Sequence, residues 1–284
     1  MLKKKYAVVY MMGGFGNQIF QLSFAKSLEN LNLIVYIDTS NYLQKNKRFN
    51  TEAHNRELVI PIEEFGFKKV PFSLNLLFLL NNKIRKFSFK NYKFLPIGRY
   101  NDSNFKGKYK KFNQFVGYWQ NLELLVNNKD FLLTKFTSYY KTFQFETPHK
   151  NGSTMLHVRR GDYVNMEEDL NIKYYDDAIC KAKQDINNFY FDIFTDDKDW
   201  VLKNGTFKEA RNIHSSSSSV EDTLKTFWTL FKYENFIISN STFSLIPALL
   251  SENKNKKIYA PSPWFKNLNS TISYPNNWTT IKNI

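Results

Sequence analysis

The sequence predicts an α/β fold made of two successive strand–helix halves, and three features carry that prediction. A β-rich run, 6–12 (YAVVYMM), enters a glycine turn, Gly13-Gly14-Phe15-Gly16, and then a segment of helical spacing, the opening of an α/β unit. Pro, Gly and Ser cluster at 147–153 (TPHKNGS), and the strand–helix rhythm then restarts. Polar clusters recur after strands at 157–162, 195–197 and 240–244, the edge at which open parallel sheets hold ligands. The boundary separates residues 1–150 from 151–284, and each half is long enough for its own core.

In the first half, Asn17-Gln18 open a helix that runs to about Asn30, with Ile19, Leu22, Phe24, Ala25 and Leu28 at its apolar positions. A strand at 33–37 ends in Asp38. The turn is not GxGxxG, because Ile19 holds the third glycine position counted from Gly14 and Gly16. A tight βα connection explains it as well as a ligand loop does, although backbone N–H groups at such a turn can meet anionic groups. Residues 39–113 alternate Asn- and Lys-rich stretches with Phe and Leu runs and yield only a helix near 74–80; specificity is expected to lie there. Residues 114–120 read as a strand ending in Tyr118 and Trp119, which suit a sugar face or the core equally. Residues 121–140 have helical spacing.

In the second half, a strand at 154–158 delivers His157, Arg159, Arg160, Gly161 and Asp162. Helices are expected at 174–185, from 199, at 222–233 and from about Leu245. Strands are expected at 190–194, 236–239 and 257–260, and the serine run 215–219 reads as a polar loop.

Composition narrows the function. The chain of 284 residues has 40 Lys and Arg against 26 Asp and Glu, a net charge of +14. Such a balance favours an anionic partner: a phosphorylated ligand, a membrane surface or nucleic acid. No RRM, OB or helix-turn-helix pattern supports nucleic acid. The lone Cys180 excludes an internal disulfide and a Cys-based zinc site, and the four His show no metal spacing. There is no Walker motif. The apolar stretch 7–12 is shorter than the core of a signal peptide, and 70–80 is too short to span a bilayer. These features give the expectation of a cytoplasmic protein without signal peptide or transmembrane helix, in peripheral contact with the inner membrane.

The chemistry centres on 155–164 (MLHVRRGDYV). Adjacent guanidinium forks match the oxygens of a diphosphate. Hydroxyls at Ser241 and Ser244, at a helix start, suit the same anion. Asp196-Asp197 suit hydroxyls or a base edge. A surface ion pair at a strand end is the competing reading of the Arg pair.

These residues resemble a known family. Gly13-Gly14-Phe15-Gly16-Asn17-Gln18-Ile19-Phe20-Gln21 is similar to the N-terminal signature of bacterial α-1,2-fucosyltransferases, and His157-Val158-Arg159-Arg160-Gly161-Asp162-Tyr163 to their HxRRGDY motif. Tyr174-Tyr175, Phe194-Thr195-Asp196-Asp197 with Trp200, Ile238 to Ser244, and Ala260-Pro261 with Trp264-Phe265 follow in order, so the resemblance covers essentially the whole chain. It implies a GT-B-like fold, two Rossmann-like domains facing a central cleft, with the N-terminal domain on the acceptor side and the C-terminal domain binding the GDP-sugar. It implies inverting transfer of L-fucose from GDP-β-L-fucose to the 2-hydroxyl of a galactoside, without a metal or other cofactor. The expected acceptor is a galactose-terminated glycan or lipid-linked oligosaccharide of surface polysaccharide (O-antigen) biosynthesis. By position, Arg159 holds the β-phosphate; His157, Asp162, Asp196 and Asp197 shape the nucleotide pocket; Ser241, Thr242, Phe243 and Ser244 line its phosphate and ribose side. Gly14, Gly16 and Asn17 approach the fucose, Asn17 with a catalytic role. Arg160 is either a second donor contact or a structural ion pair. Tyr118 and Trp119 are the acceptor-side candidates. Asp38 and Glu52 are candidate bases, with a structural role favoured for both.

One departure stands out: Leu245-Ile246-Pro247-Ala248 replaces the family's usual two Trp and Gly after Phe243-Ser244, with Pro247 expected in a helix's first turn. The alternatives are a same-fold enzyme using another nucleotide-sugar, a basic nucleic-acid-binding protein, and a lectin-like relative without turnover.

Overall fold

A computed structural model describes residues 4–43, 57–87, 97–139, 148, 151–215, 219–267 and 272–283. The chain divides into two compact units, Met1–Lys141 and Thr142–Ile284.

The first unit contains β1 (Tyr6–Tyr10), α1 (Phe15–Asn30), β2 (Ile34–Asp38), α2 (Ser40–Leu43), β3 (Lys68–Lys69), α3 (Phe72–Phe87), β4 (Ile97–Tyr100), β5 (Phe112–Val116), α4 (Leu122–Asn127) and α5 (Lys129–Tyr139). Its strands lie in the order β3-β2-β1-β5-β4, parallel throughout. Ala7, Val8 and Val9 are buried on both faces of β1, which is why 6–12 reads as a continuous apolar run. α1 starts at Phe15, two residues before the expected start, because Gly14 takes the extended N-cap conformation. The helical stretch 121–140 is broken at Asn128, whose buried Nδ2 donates to Ser27 Oγ (2.7 Å) and Leu124 O (2.9 Å). The helix near 74–80 extends to Phe72–Phe87. β3 and β4 carry no sequence signal strong enough to expect, β3 being only two lysines long.

The second unit contains β6 (Ser153–Val158), α6 (Gly161–Asn165), α7 (Ile172–Asp185), β7 (Tyr190–Thr195), α8 (Lys198–Lys203), β8 (Ile213–Ser215), α9 (Val220–Leu230), β9 (Asn235–Ile237), α10 (Thr242–Leu250), β10 (Ile258–Ser262) and β11 (Thr279–Lys282). All its strand pairs are parallel, in the order β11-β10-β9-β6-β7-β8. Numbered within the unit, this is the doubly wound order 3-2-1-4-5-6 read from the β8 edge. Two parallel α/β sheets agree with the expected pair of Rossmann-like halves. The core between β6, β7 and α7 is built from Leu156, Val158, Tyr174, Tyr175, Ile179, Phe191 and Ile193. α10 begins three residues earlier than expected, since Ser241 caps it by accepting from Phe243 N. Pro247 therefore falls inside the helix, in its second turn, where it has no N–H to offer the Phe243 carbonyl.

Candidate active site

β6 is buried along its whole length, so its side chains serve the core until the strand ends. Register then assembles the site. Val158 lies opposite Thr195 across β6–β7, and Leu156 opposite Ile237 across β6–β9. The residues just past those pairs, 159–160, 196–197 and 238–241, emerge side by side. β6 and β9 flank the point where the strand order reverses, the crevice that holds ligands in doubly wound sheets.

His157 is buried, with Nδ1 2.7 Å from Ser239 Oγ and 2.9 Å from Ser244 Oγ. It joins β6 to the end of β9 and to the first turn of α10. Burial, and then the nearby Arg159 charge, push its pKa down to about 3. The ring is therefore neutral at physiological pH. Phe243 tilts over it at 5.8 Å.

Arg159 is gripped from two sides. Nη1 lies 2.6 Å from Asp196 Oδ2, and Nη2 donates to Asp162 Oδ1. Burial opposes its charge, but Asp196 and Asp162 outweigh that effect and raise its pKa. The guanidinium sits 5.6 Å from the Tyr163 ring centre, whose hydroxyl donates to Asn240 O at 3.2 Å. Two carboxylate contacts leave other N–H donors of the fork for a ligand.

Arg160 is held differently. Nε donates to Asp197 Oδ2 (3.1 Å), Nη1 to Asp169 Oδ2 (2.6 Å), and the guanidinium lies 4.3 Å above Trp200. Its backbone N–H donates to Asp196 Oδ1 at 2.8 Å. This is the ion-paired arrangement. Asp197 also caps α8 by accepting from Trp200 N at 3.0 Å, so Asp196 and Asp197 are engaged by the two arginines.

Gly161 has a specific reason to be glycine: a Cβ there would lie 2.6 Å from Asp196 Oδ2. Ser241 caps α10, Ser244 is buried against His157, and Thr242 and Phe243 are half-buried in the first helical turn. The Tyr174 hydroxyl donates to Ile238 O at 2.5 Å, tying α7 to the end of β9.

Sequence reasoning passed over Asp169 and Glu168, and it gave Ser239 no role beyond its place in the matched stretch Ile238 to Ser244. Glu168 is buried; its carboxylate accepts from Lys266 N (2.6 Å) and Asn267 N (2.8 Å), and its carbonyl accepts from Asn240 Nδ2 (2.7 Å). It latches the chain after β10 to the segment after α6. A run of acids, Glu167-Glu168-Asp169, was the available signal, but nothing in it separates a buried carboxylate from exposed ones.

In the first unit, Gly13 has φ +80 and its carbonyl accepts from Tyr42 OH at 2.8 Å. Gly14 caps α1 without a side chain, and Gly16 is buried in its first turn. Gln18 and Gln21 are fully buried clamps: Gln18 Oε1 accepts from Val59 N (3.0 Å), and Gln21 bridges Met12 N (3.1 Å) to Gly117 O (2.8 Å). Asn17 Oδ1 accepts from Gln120 Nε2 at 2.7 Å. Trp119 is buried and stacks on Phe24 at 4.0 Å and 3°, a core position; Tyr118 is exposed. Asp38 is buried and accepts from Ser40 N at 2.9 Å, a structural turn, and Glu52 lies outside the described residues. Among the described residues, no group of three or more His, Cys, Asp or Glu is placed to hold a metal ion. Among them, too, no helix is long and apolar enough to cross a membrane.

Known proteins give the chain its relatives. The sequence profile described as Glycosyl transferase family 11 matches residues 3–282. Alpha-1,2-colitosyltransferase of Escherichia coli is 28% identical over 294 aligned residues, covering 97% of this chain and 98% of that protein. The O-antigen biosynthesis glycosyltransferase WbnK of Escherichia coli is 25% identical over 311, covering 95% and 99%. Among solved structures, a mutant Arabidopsis thaliana FUT1 in complex with GDP is similar with a TM-score of 0.45 and 14% identity, over 92% of this chain and 72% of that one. With the family profile matched nearly end to end, the chain belongs to glycosyl transferase family 11 and is a glycosyltransferase.

Proposed function

We propose that this glycosyltransferase moves L-fucose from GDP-β-L-fucose to the 2-hydroxyl of a galactoside, with inversion, in the assembly of a surface polysaccharide such as O-antigen. The observation that carries the reading is Arg159, fixed between Asp162 and Asp196 at the sheet's switch point beside the start of α10. When the bond from the sugar to GDP breaks, negative charge grows on the departing diphosphate. A guanidinium already held in place meets that charge without reorganising, which lowers the barrier more than it tightens ground-state binding. The first turn of α10, Ser241 to Ser244, adds backbone donors on the same side. His157, neutral and buried, positions that turn rather than moving protons. Gly14, Gly16 and Asn17 are assigned to the sugar side, and Tyr118 to the acceptor side.

The reaction is proposed to need no metal, with Arg159 meeting the leaving-group charge. Titration with GDP, UDP and GDP-fucose tests the donor: GDP and GDP-fucose bind and UDP does not, whereas a preference for UDP overturns the assignment. GDP release across a panel of galactosides, run with and without EDTA, tests the rest; unchanged turnover in EDTA is the expected result.

A second reading concerns the sugar alone. A relative named as a colitosyltransferase aligns over nearly the full length of both chains, and colitose is fucose lacking its 3-hydroxyl. A site that hydrogen-bonds that hydroxyl discriminates strongly against the deoxy sugar, and one that does not discriminates weakly. Competing the two GDP-sugars for one acceptor separates the readings.

A further inference from the structure

We propose that the outward face of α3 is a membrane-docking surface, inserting into the headgroup layer of a bilayer that carries anionic lipid. The inward face of this helix is already accounted for: Leu74 and Phe78 are buried against Val8 and Ile97. A helix resting on a sheet needs only that one apolar stripe. α3 carries a second, because Phe72 (82% exposed), Leu76 (41%), Leu79 (53%) and Leu80 (49%) stand in solvent. Their spacing of four, three and one residues puts them on one side of the helix. They are four of the ten large apolar side chains exposed among the described residues, and no other helix presents such a row.

Charge selects the occupant. From Lys68 to Phe87, along β3 and α3, the sequence holds five Lys and Arg and no Asp or Glu, and Lys69 pairs with Glu63 at 2.8 Å. Lys68 and Lys69 stand exposed on β3, immediately before the helix, and Lys83 follows Leu80 by three residues within it. A second copy of the chain docking on this face by two-fold symmetry would bring the same excess of cations together. A bilayer with anionic headgroups answers both features, taking apolar side chains below the headgroups and cations among them. The inference does not depend on which sugar is transferred, and it gives the expected peripheral membrane contact a location.

The test is co-flotation of the full chain with vesicles. Wild type floats with phosphatidylcholine vesicles containing about 30% phosphatidylglycerol, floats poorly with phosphatidylcholine alone, and is released as salt rises to about 0.5 M. The Phe72→Glu/Leu79→Glu variant changes two exposed positions, so it keeps the wild-type thermal melting, but binds the anionic vesicles about a hundredfold or more weaker. The proposal is overturned if wild type stays with neither vesicle, or if the variant floats as wild type does. It is also overturned if sedimentation shows a wild-type dimer that the variant converts to monomer, which would assign the face to a second copy.

Discussion

Arg159 and Arg160 are neighbours in sequence with separate duties. Arg160 lies between Asp169 and Asp197 under Trp200, so Arg160→Ala strands two carboxylates and is expected to cost about 3 kcal/mol of stability, read as a lower urea midpoint. Arg159→Ala strands Asp162 and Asp196 in the same way, so it is expected to lower stability as well as turnover. His157 offers a pH test. Its folded pKa of about 3 lies below its ordinary value of 6.5, so between those values the unfolded chain binds a proton that the folded chain does not. Stability is therefore full above pH 6.5 and falls as pH drops below it, by up to about 1.4 kcal/mol per unit. Urea titrations between pH 7 and about 5 should show that slope, and His157→Gln should flatten it. At this scale the sequence displayed the arginines and the local partner Asp162, but not the distant pairings. Asp196 and Asp197 sit more than thirty positions away from Arg159, and only the pairing of Val158 with Thr195 brings them together.

At the scale of elements, the site is a product of strand ends in register. Gly161 opens α6 where Asp196 must pass. Gly161→Ala is expected to push Asp196 away from Arg159 and from the Arg160 N–H, lowering transfer by about tenfold or more and stability by about 1–3 kcal/mol. Glu168→Ala should release the Lys266 and Asn267 amides, seen as faster hydrogen exchange at those two positions with β6 and β7 unchanged. The longer strands and helices were legible because burial leaves apolar runs or an apolar stripe, whereas caps such as Ser219 were read as loop. β3, β8 and β11 were not legible: they are two to four residues long, and β11 alternates polar side chains along an edge. The start of α10 was missed because Asn240-Ser241-Thr242 reads as loop chemistry until Ser241 is recognised as the cap.

At the scale of the molecule, two parallel α/β sheets were anticipated by the repeated strand–helix rhythm, and the two units divide between Lys141 and Thr142. The basic excess was visible but unassigned, because charge alone does not separate a diphosphate from a membrane or a nucleic acid. Family membership makes the chain a glycosyltransferase, and the second unit's switch point gives a diphosphate its place in the proposed reaction. Signatures such as Gln18 and Gln21, which resemble ligand motifs in sequence, turn out to be buried clamps on backbone groups. Motif positions thus divide between those that hold the frame and those left for chemistry, and only the structure tells them apart.

Arg159 is proposed to stabilise the departing diphosphate. The most direct test of that role is the rate of GDP release from GDP-fucose, with a galactoside acceptor, by wild type and Arg159→Ala. A loss of about 10²–10³-fold is predicted, measured at a temperature where the circular dichroism spectrum shows the variant folded. An Arg159→Ala enzyme that turns over at the wild-type rate would rule that role out.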